Sequence, residues 1–440
     1  MQGERKTLTQ LSVPICLETL FYMLSGMVDT LMLSSVSDQA VGAVGTANTY
    51  ISVFIIMFGV ISSGMVAVMS QNIGAGRPGI AYQARQLGLV FNALTGILIS
   101  VVLAVFSGGI LRAVSIAPAL LESAETYLKI VGGASFLNAL IPIFSSYLRV
   151  FGYTKHSLIG TVVGNVINII LNSVFLFVFH WGVMGVATAT VISKAVNLII
   201  VAAMGAVLIK AKQSPEREQP RRILAQIVKI GFPSAFETAL YNVAMTFIVC
   251  FMNHMDTDGM NVTARSYAMQ IANFSYCVGA ALAQANAIMT GWRIGAKKYE
   301  ECDRGTRKAV IYGLVTATCF SVTFAMTGRF IVHIFTDDTQ MIELVVKLLI
   351  VDIFLEFGRV TNLVYGQALK TSGDAIFPVI IGAIFMYLFA VGGTYFLGIH
   401  MGLLAVGAYI AMAGDECARA IGMVLRWKSG KWKSKSLIEL

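Results

Sequence analysis

The stretch PICLETLFYMLSGMVDT, Pro14 to Thr30, is long and apolar enough to cross a bilayer, yet it carries two acids, Glu18 and Asp29. A carboxylate at the middle of a membrane helix costs about 2.5–3.5 kcal/mol on insertion scales. At a rise of about 1.5 Å per residue, Glu18 and Asp29 share one helix face roughly 16 Å apart along the axis. Hydrocarbon cannot solvate that face, so it must look into protein or into a water-filled cavity. Pro14 and Gly26 precede the two acids by about one turn each, where a bend would free a backbone carbonyl as a further ligand.

The rest of the chain repeats this apolar character. Of its 440 residues 57% are hydrophobic and only 12% charged, too few charges for a soluble domain of this length. Mean hydropathy is +0.76. Apolar runs long enough to cross a core of about 30 Å lie near 8–33, 44–70, 86–107, 123–148, 157–179, 183–209, 224–253, 262–290, 308–327, 340–368, 375–397 and 401–426, the fourth and tenth being the least apolar. The expected fold is therefore an all-α polytopic membrane protein of about twelve transmembrane helices. The first run is too long for a signal-peptide core and has no small-residue cleavage pattern after it, so it reads as a retained helix. The six cysteines form no CxxC pair and read as small apolar residues.

A net charge of +9 raises the question of nucleic acid, but its placement answers it. Basic residues gather in the first ten positions, in 209–222, in 291–308 and in 426–435. With twelve spans these segments share one side, which the positive-inside rule makes cytoplasmic, with both termini in. The expected location is the inner (cytoplasmic) membrane. The expected partners are small-molecule substrates and the lipid bilayer, with no nucleic acid, for a monomer.

One polar linker, 210–222, stands near the midpoint and prompts a test for duplication. PICLET (14–19) aligns with PSAFET (233–238), 219 residues on, and IGAGR (73–77) with IGAKK (294–298), 221 on. LRVFG (148–152) aligns with LKTSG (369–373), again 221 on, and HWGVMGV (180–186) with HMGLLAV (400–406), 220 on. Four matches at one spacing indicate two parallel six-helix bundles related by a pseudo-twofold axis along the membrane normal. The expected domains are an N-terminal lobe at 1–209, the linker at 210–222, a C-terminal lobe at 223–427 and a basic tail at 428–440.

Polar residues inside the spans carry the functional reading. Asn165, Asn168 and Asn172 line one face of the fifth span, and Thr188 and Thr190 lie on the sixth. Their oxygens, with the Asp29 carboxylate, suit a hard cation such as Na⁺, or Asp29 itself exchanges a proton. The bland alternative for each Asn is an interhelical hydrogen bond. The second half repeats Glu18 as Glu237, but Ile248 stands where Asp29 would be, and Leu388 and Gly392 match Asn168 and Asn172. Its tenth span instead carries VDIFLEFGRVTN (351–362), with Glu356 and Arg359 one turn apart, a pair that neutralises itself or handles substrate or proton. Gln270, Asn273, Gln284 and Asn286 are further cleft candidates, with Glu18 and Asn165. Asp415, Glu416 and Arg419 read as a charge-balanced structural cluster, and Lys129 and Lys194 as snorkelling or paired.

GMVDTLMLSSVSDQAVGAVG (26–45), QNIGAGR, NIILN before GVATATVIS, and LKTSGD together resemble the multidrug and toxic compound extrusion (MATE) transporters, in order and over nearly the whole chain. The resemblance implies twelve helices in two lobes and export of amphipathic, often cationic compounds driven by Na⁺ or H⁺ entry, with no cofactor. It implies that Asp29 is the acid binding the coupling ion, with Asn168, Asn172 and Thr190 around it, and that Glu237 is an acid linked to cation coupling. One departure stands out: position 172 is Asn where relatives with a Na⁺ site often have a second acid. The loss of that charge weakens a cation site and makes proton coupling a rival. LEFGR departs too, leaving Glu356 an approximate stand-in for an acid of the tenth span.

The expected function is thus a cation-coupled (H⁺ or Na⁺) antiporter working by alternating access, with no catalytic residues. Two alternatives stand beside it. A flippase or exporter of a lipid-linked or peptide-like precursor would need a cleft lined by several Arg or Lys, where the central spans offer mainly acids. A membrane-embedded enzyme would need a motif such as HExxH or DDxxD, which is not found.

Overall fold

A computed structural model describes residues 6–113, 116–210, 214–255, 259–334 and 336–438, so 211–213 of the basic linker lie outside the described residues. Helices follow one another with short turns: α1 Leu8–Ser34, α2 Asp38–Gly74, α3 Pro78–Ala113, α4 Pro118–Gly132, α5 Ser135–Val150, α6 Thr154–Val178, α7 Gly182–Leu208, α8 Pro220–Asn253, α9 Met260–Gly295, α10 Tyr299–His333, α11 Thr339–Ser372, α12 Ile376–His400 and α13 Leu404–Lys428. No strand occurs among the described residues. The fourth apolar run is split: α4 ends in a π-helical turn, Leu128–Gly132, and α5 leaves it at 41°. Counted as one bent segment, the pair leaves twelve long helices among the described residues.

Among the described residues, eight helices are long and apolar enough to cross a membrane, and the bent pair counted as one span makes a ninth. α9, α11 and α13 have the length but not the composition. They carry Arg265, Asp352, Glu356, Asp415, Glu416 and Arg419, all of them buried in the protein. A membrane helix tolerates such residues only on a face turned away from lipid.

The chain divides into two compact units, Leu17–Gly231 and Phe232–Leu440 joined by Thr7–Cys16. The division falls inside α1 and α8, not in the 210–222 linker, so the start of each half's first helix packs with the other half's unit. For α8 the cause is visible in the glycines. A Cβ on Gly231 would lie 1.7 Å from the Val60 carbonyl oxygen, and one on Gly64 would lie 2.0 Å from that of Ile227. One glycine on each helix, Gly64 and Gly231, lets the α2 and α8 backbones touch. The first unit closes over an apolar core that includes Leu33, Phe58, Leu103 and Leu128. The second unit has cores around Ile248, Leu348 and Met412 and around Trp427 and Trp432. The basic tail is not free: Trp432 stacks on Trp427 at 4.2 Å.

The duplication reappears as shared turns. Arg77 N donates to Asn72 O and Lys298 N to Arg293 O, both at 2.8 Å. Gly76 (φ +75°) and Lys297 (φ +59°) take the left-handed position in these two turns. Helices α6 and α12 both finish in π-helical turns, Val174–Val178 and Thr394–His400.

Candidate functional site

In the first unit, α1 is continuous through Gly26, whose carbonyl accepts from the Thr30 hydroxyl at 2.9 Å. The expected freed carbonyl is therefore already engaged. Asp29 points at α6: its Oδ1 accepts from Asn172 Nδ2 at 2.6 Å, and the same Nδ2 donates to Asn168 Oδ1 at 3.3 Å. Asn168 and Asn172 are four residues apart on one face and both buried. Two oxygens thus converge on an amide nitrogen, which stands where a cation would need a third oxygen. The Asn172 Oδ1 is buried without a hydrogen-bond partner. In this orientation the Asn172 amide donates to both the Asp29 carboxylate and the Asn168 carbonyl.

Thr190 lies on α7 and donates its hydroxyl to Val186 O at 2.9 Å within its own helix, while its side chain and that of Asn48 meet the Tyr127 phenol. Thr188 is exposed. Lys194, one turn beyond Thr190, donates to Asn138 Oδ1 at 2.9 Å, and its charge acts on Asp29. Spacing alone gave Lys194 no role here; its i+4 relation to Thr190 was the available signal. Lys129 pairs with Glu125 at 2.7 Å. Asn165 donates to Phe21 O at 2.7 Å and so ties α6 to α1, the interhelical bond that was its bland reading.

Glu18 is a fastened residue, not an open cleft acid. Its Oε1 lies 2.7 Å from Arg149 Nη2 and accepts from Ser157 at 3.0 Å and Thr161 at 3.4 Å. The second unit holds the same pair: Glu237 Oε2 lies 2.6 Å from Lys370 Nζ. Arg149 and Lys370 are the second residues of the aligned LRVFG and LKTSG, so the repeat preserves an ion pair as well as a backbone. No Asp29 equivalent accompanies it, because Ile248 is buried in apolar core.

The second unit instead contains a cavity of about 500 Å³, within the range of small-molecule sites. Its wall includes Glu237, Asp352 and Glu416, with Arg265, Arg359, Lys370 and Arg419. The expectation that the central spans offer mainly acids is overturned for this unit: four basic side chains reach the wall. In the sequence Arg359 and Arg419 look like members of local pairs, and Arg265 and Lys370 carry no such signal. Arg359 binds Glu356 and lies 3.9 Å from Glu416. Arg419 grips Asp415 through two bonds, 3.0 and 2.6 Å, and reaches Glu416 at 2.8 Å. Glu416 also accepts from Asn362 at 3.0 Å. Glu356 is wholly buried behind the wall, and Asp352, one turn earlier, lines the cavity in its place.

Asn273 lines the cavity as well. Gln270 is exposed and Gln284 half-buried, both outside the wall, and Asn286 donates to Thr306 at 3.3 Å. Among the described residues, no group of three or more His, Cys, Asp or Glu could hold a metal ion.

A family model described as MatE matches residues 14–174 and 233–396, one copy in each half. The chain is 32% identical to the uncharacterized transporter YisQ of Bacillus subtilis strain 168, over 98% of this chain and 96% of that one. It is 26% identical to the probable multidrug resistance protein NorM of Thermotoga maritima, over 99% and 94% of the two chains. Among solved structures, a multidrug resistance MATE family transporter in an outward-facing conformation superposes with a TM-score of 0.89 at 18% identity, covering 98% of each chain.

Proposed function

Given that the chain belongs to the MatE family and is therefore a membrane transporter, we propose that it exports amphipathic compounds in exchange for protons, with Asp29 as the exchanging group. The observation that carries this reading is the Asn172 amide. It presents nitrogen to Asp29 at 2.6 Å and to Asn168 at 3.3 Å, a hydrogen-bond arrangement that serves an ionised carboxylate. Protonation removes the charge that Asn172 and Lys194 answer, and so changes which side-chain contacts hold α1 to α6. Substrate and proton then compete through the conformations they favour, and alternating access follows. Basic segments at 209–222, 291–308 and 426–435 put the linker and both termini in the cytoplasm by the positive-inside rule. The transporter works as a monomer in the inner membrane.

The flippase alternative is weaker on the geometry. Three of the four cations in the cavity wall are already neutralised by acids, so a polyanionic head group meets little free positive charge. The test of the main reading is dye efflux in everted vesicles under separately imposed gradients. A pH gradient in Na⁺-free medium is expected to drive transport, and a Na⁺ gradient at uniform pH is not. Transport driven by Na⁺ alone would refute proton coupling.

A further inference from the structure

Among the described residues, two charges in the cavity of the second unit make no ion-pair contact, although the Arg359 charge also acts on one of them, Asp352. Arg265 on α9 is 8% exposed and lines the wall. Among the described residues its one side-chain hydrogen bond is Nη2 to Met245 Sδ at 3.7 Å, and its Nε is buried without a partner. Asp352 on α11 is 3% exposed and lines the same wall, with no ion pair or hydrogen bond of its side chain among the described residues. The other charged groups of the wall are taken: Glu237 by Lys370, and Glu416 by Arg419. Both unpaired charges act on the Tyr409 phenol, so they belong to one neighbourhood. A buried charge without a partner is expensive and persists where a ligand completes it.

From this we infer that Arg265 and Asp352 form a two-charge recognition site for a zwitterionic amphiphile, its carboxylate on Arg265 and its positive group facing Asp352. The inference deepens the exporter reading and rests on it, by naming the substrate class. Apolar contact comes from Met245, Met269, Met386 and Met412 with Tyr276 and Tyr409; methionine adapts to varied shapes, and the aromatic rings provide broad contact. A guanidinium selects a planar carboxylate through two parallel bonds, which a simple cation cannot use.

Rhodamine B carries a carboxylate and a delocalised cation, whereas its ethyl ester keeps only the cation. Fluorescence polarisation with the purified full-length protein is expected to show rhodamine B binding about tenfold or more tighter than the ester. Arg265→Gln should weaken rhodamine B by about 10- to 100-fold and leave the ester within about threefold. Arg265→Lys, which keeps the charge, should retain part of the preference and stands in if the glutamine variant does not fold. Asp352→Asn should weaken both dyes. Equal affinities in the wild type, no saturable binding of rhodamine B, or equal weakening of both dyes by Arg265→Gln would each overturn the inference. Asp29→Asn should leave the preference for rhodamine B over its ester unchanged. Lost dye discrimination with intact proton-driven efflux therefore defeats this inference alone, and the opposite pattern defeats proton coupling alone.

Discussion

Asp29→Asn is expected to abolish proton-driven efflux while leaving the protein folded and able to bind dye. In vesicles with a one-unit pH gradient, exchange of one proton per dye sustains about a tenfold accumulation, since each 1.4 kcal/mol is a factor of ten. The variant should reach a ratio of about one, the passive value. The reason is local. An asparagine at 29 can still meet Asn172 at hydrogen-bond distance, so the packing of α1 on α6 survives, but it has no proton to exchange. Asn168 cannot substitute, being an amide, and Glu18 cannot, because Arg149, Ser157 and Thr161 hold it. Nor does the second unit offer a replica, since Ile248 occupies the matching place. Accumulation by the variant equal to that of the wild type would show that the exchanging group lies elsewhere.

A loss of stability of about 3–5 kcal/mol is expected for Arg149→Met, the cost of leaving a buried carboxylate without its counter-ion. Glu18 is 7% exposed and its second oxygen has no partner. Removing the guanidinium therefore leaves only two hydroxyls to answer the charge. Adding Glu18→Gln should restore most of the loss, because a neutral amide needs no counter-ion and still meets Ser157 and Thr161. Thermal unfolding in detergent, followed through the double-mutant cycle, reads the coupling directly. Lys370→Met with Glu237→Gln should behave alike, though more mildly, as the Glu237 side chain is 23% exposed against 10% for Glu18. Additive effects of the paired substitutions would mean that neither ion pair stabilises the unit that contains it.

Much of this architecture could be read from the chain, because membrane spans and repeats are one-dimensional signals. The hydropathy runs locate the helices, and the constant offset of PSAFET from PICLET and of LKTSG from LRVFG reveals the duplication. Helical spacing likewise put Asn168 and Asn172 on one face, where they meet Asp29. What the spacing could not show is which face of one helix meets which face of another. Glu18 and Arg149 both sat inside the aligned motifs, yet their pairing depends on how α1 rolls against α5. Arg265 stands far from Arg293, the other charge of α9, with no acid at helical spacing to draw attention to it. Asp352 was overshadowed by the tidier Glu356 and Arg359 of the same stretch, although the cavity takes Asp352 and buries Glu356 behind it. Asp415, Glu416 and Arg419 do form the local cluster that their spacing indicates, but Glu416 and Arg419 also face the cavity.

The whole account depends on a carboxyl group in the first unit whose proton is traded for substrate. Purified protein in a weakly buffered solution near neutral pH, titrated with rhodamine B, gives the most direct reading of it. The wild type should release protons on binding the dye, and Asp29→Asn none, with a dye affinity that no longer changes with pH. The same proton release from both proteins, or displacement of the dye by Na⁺ with no proton release at all, would contradict it.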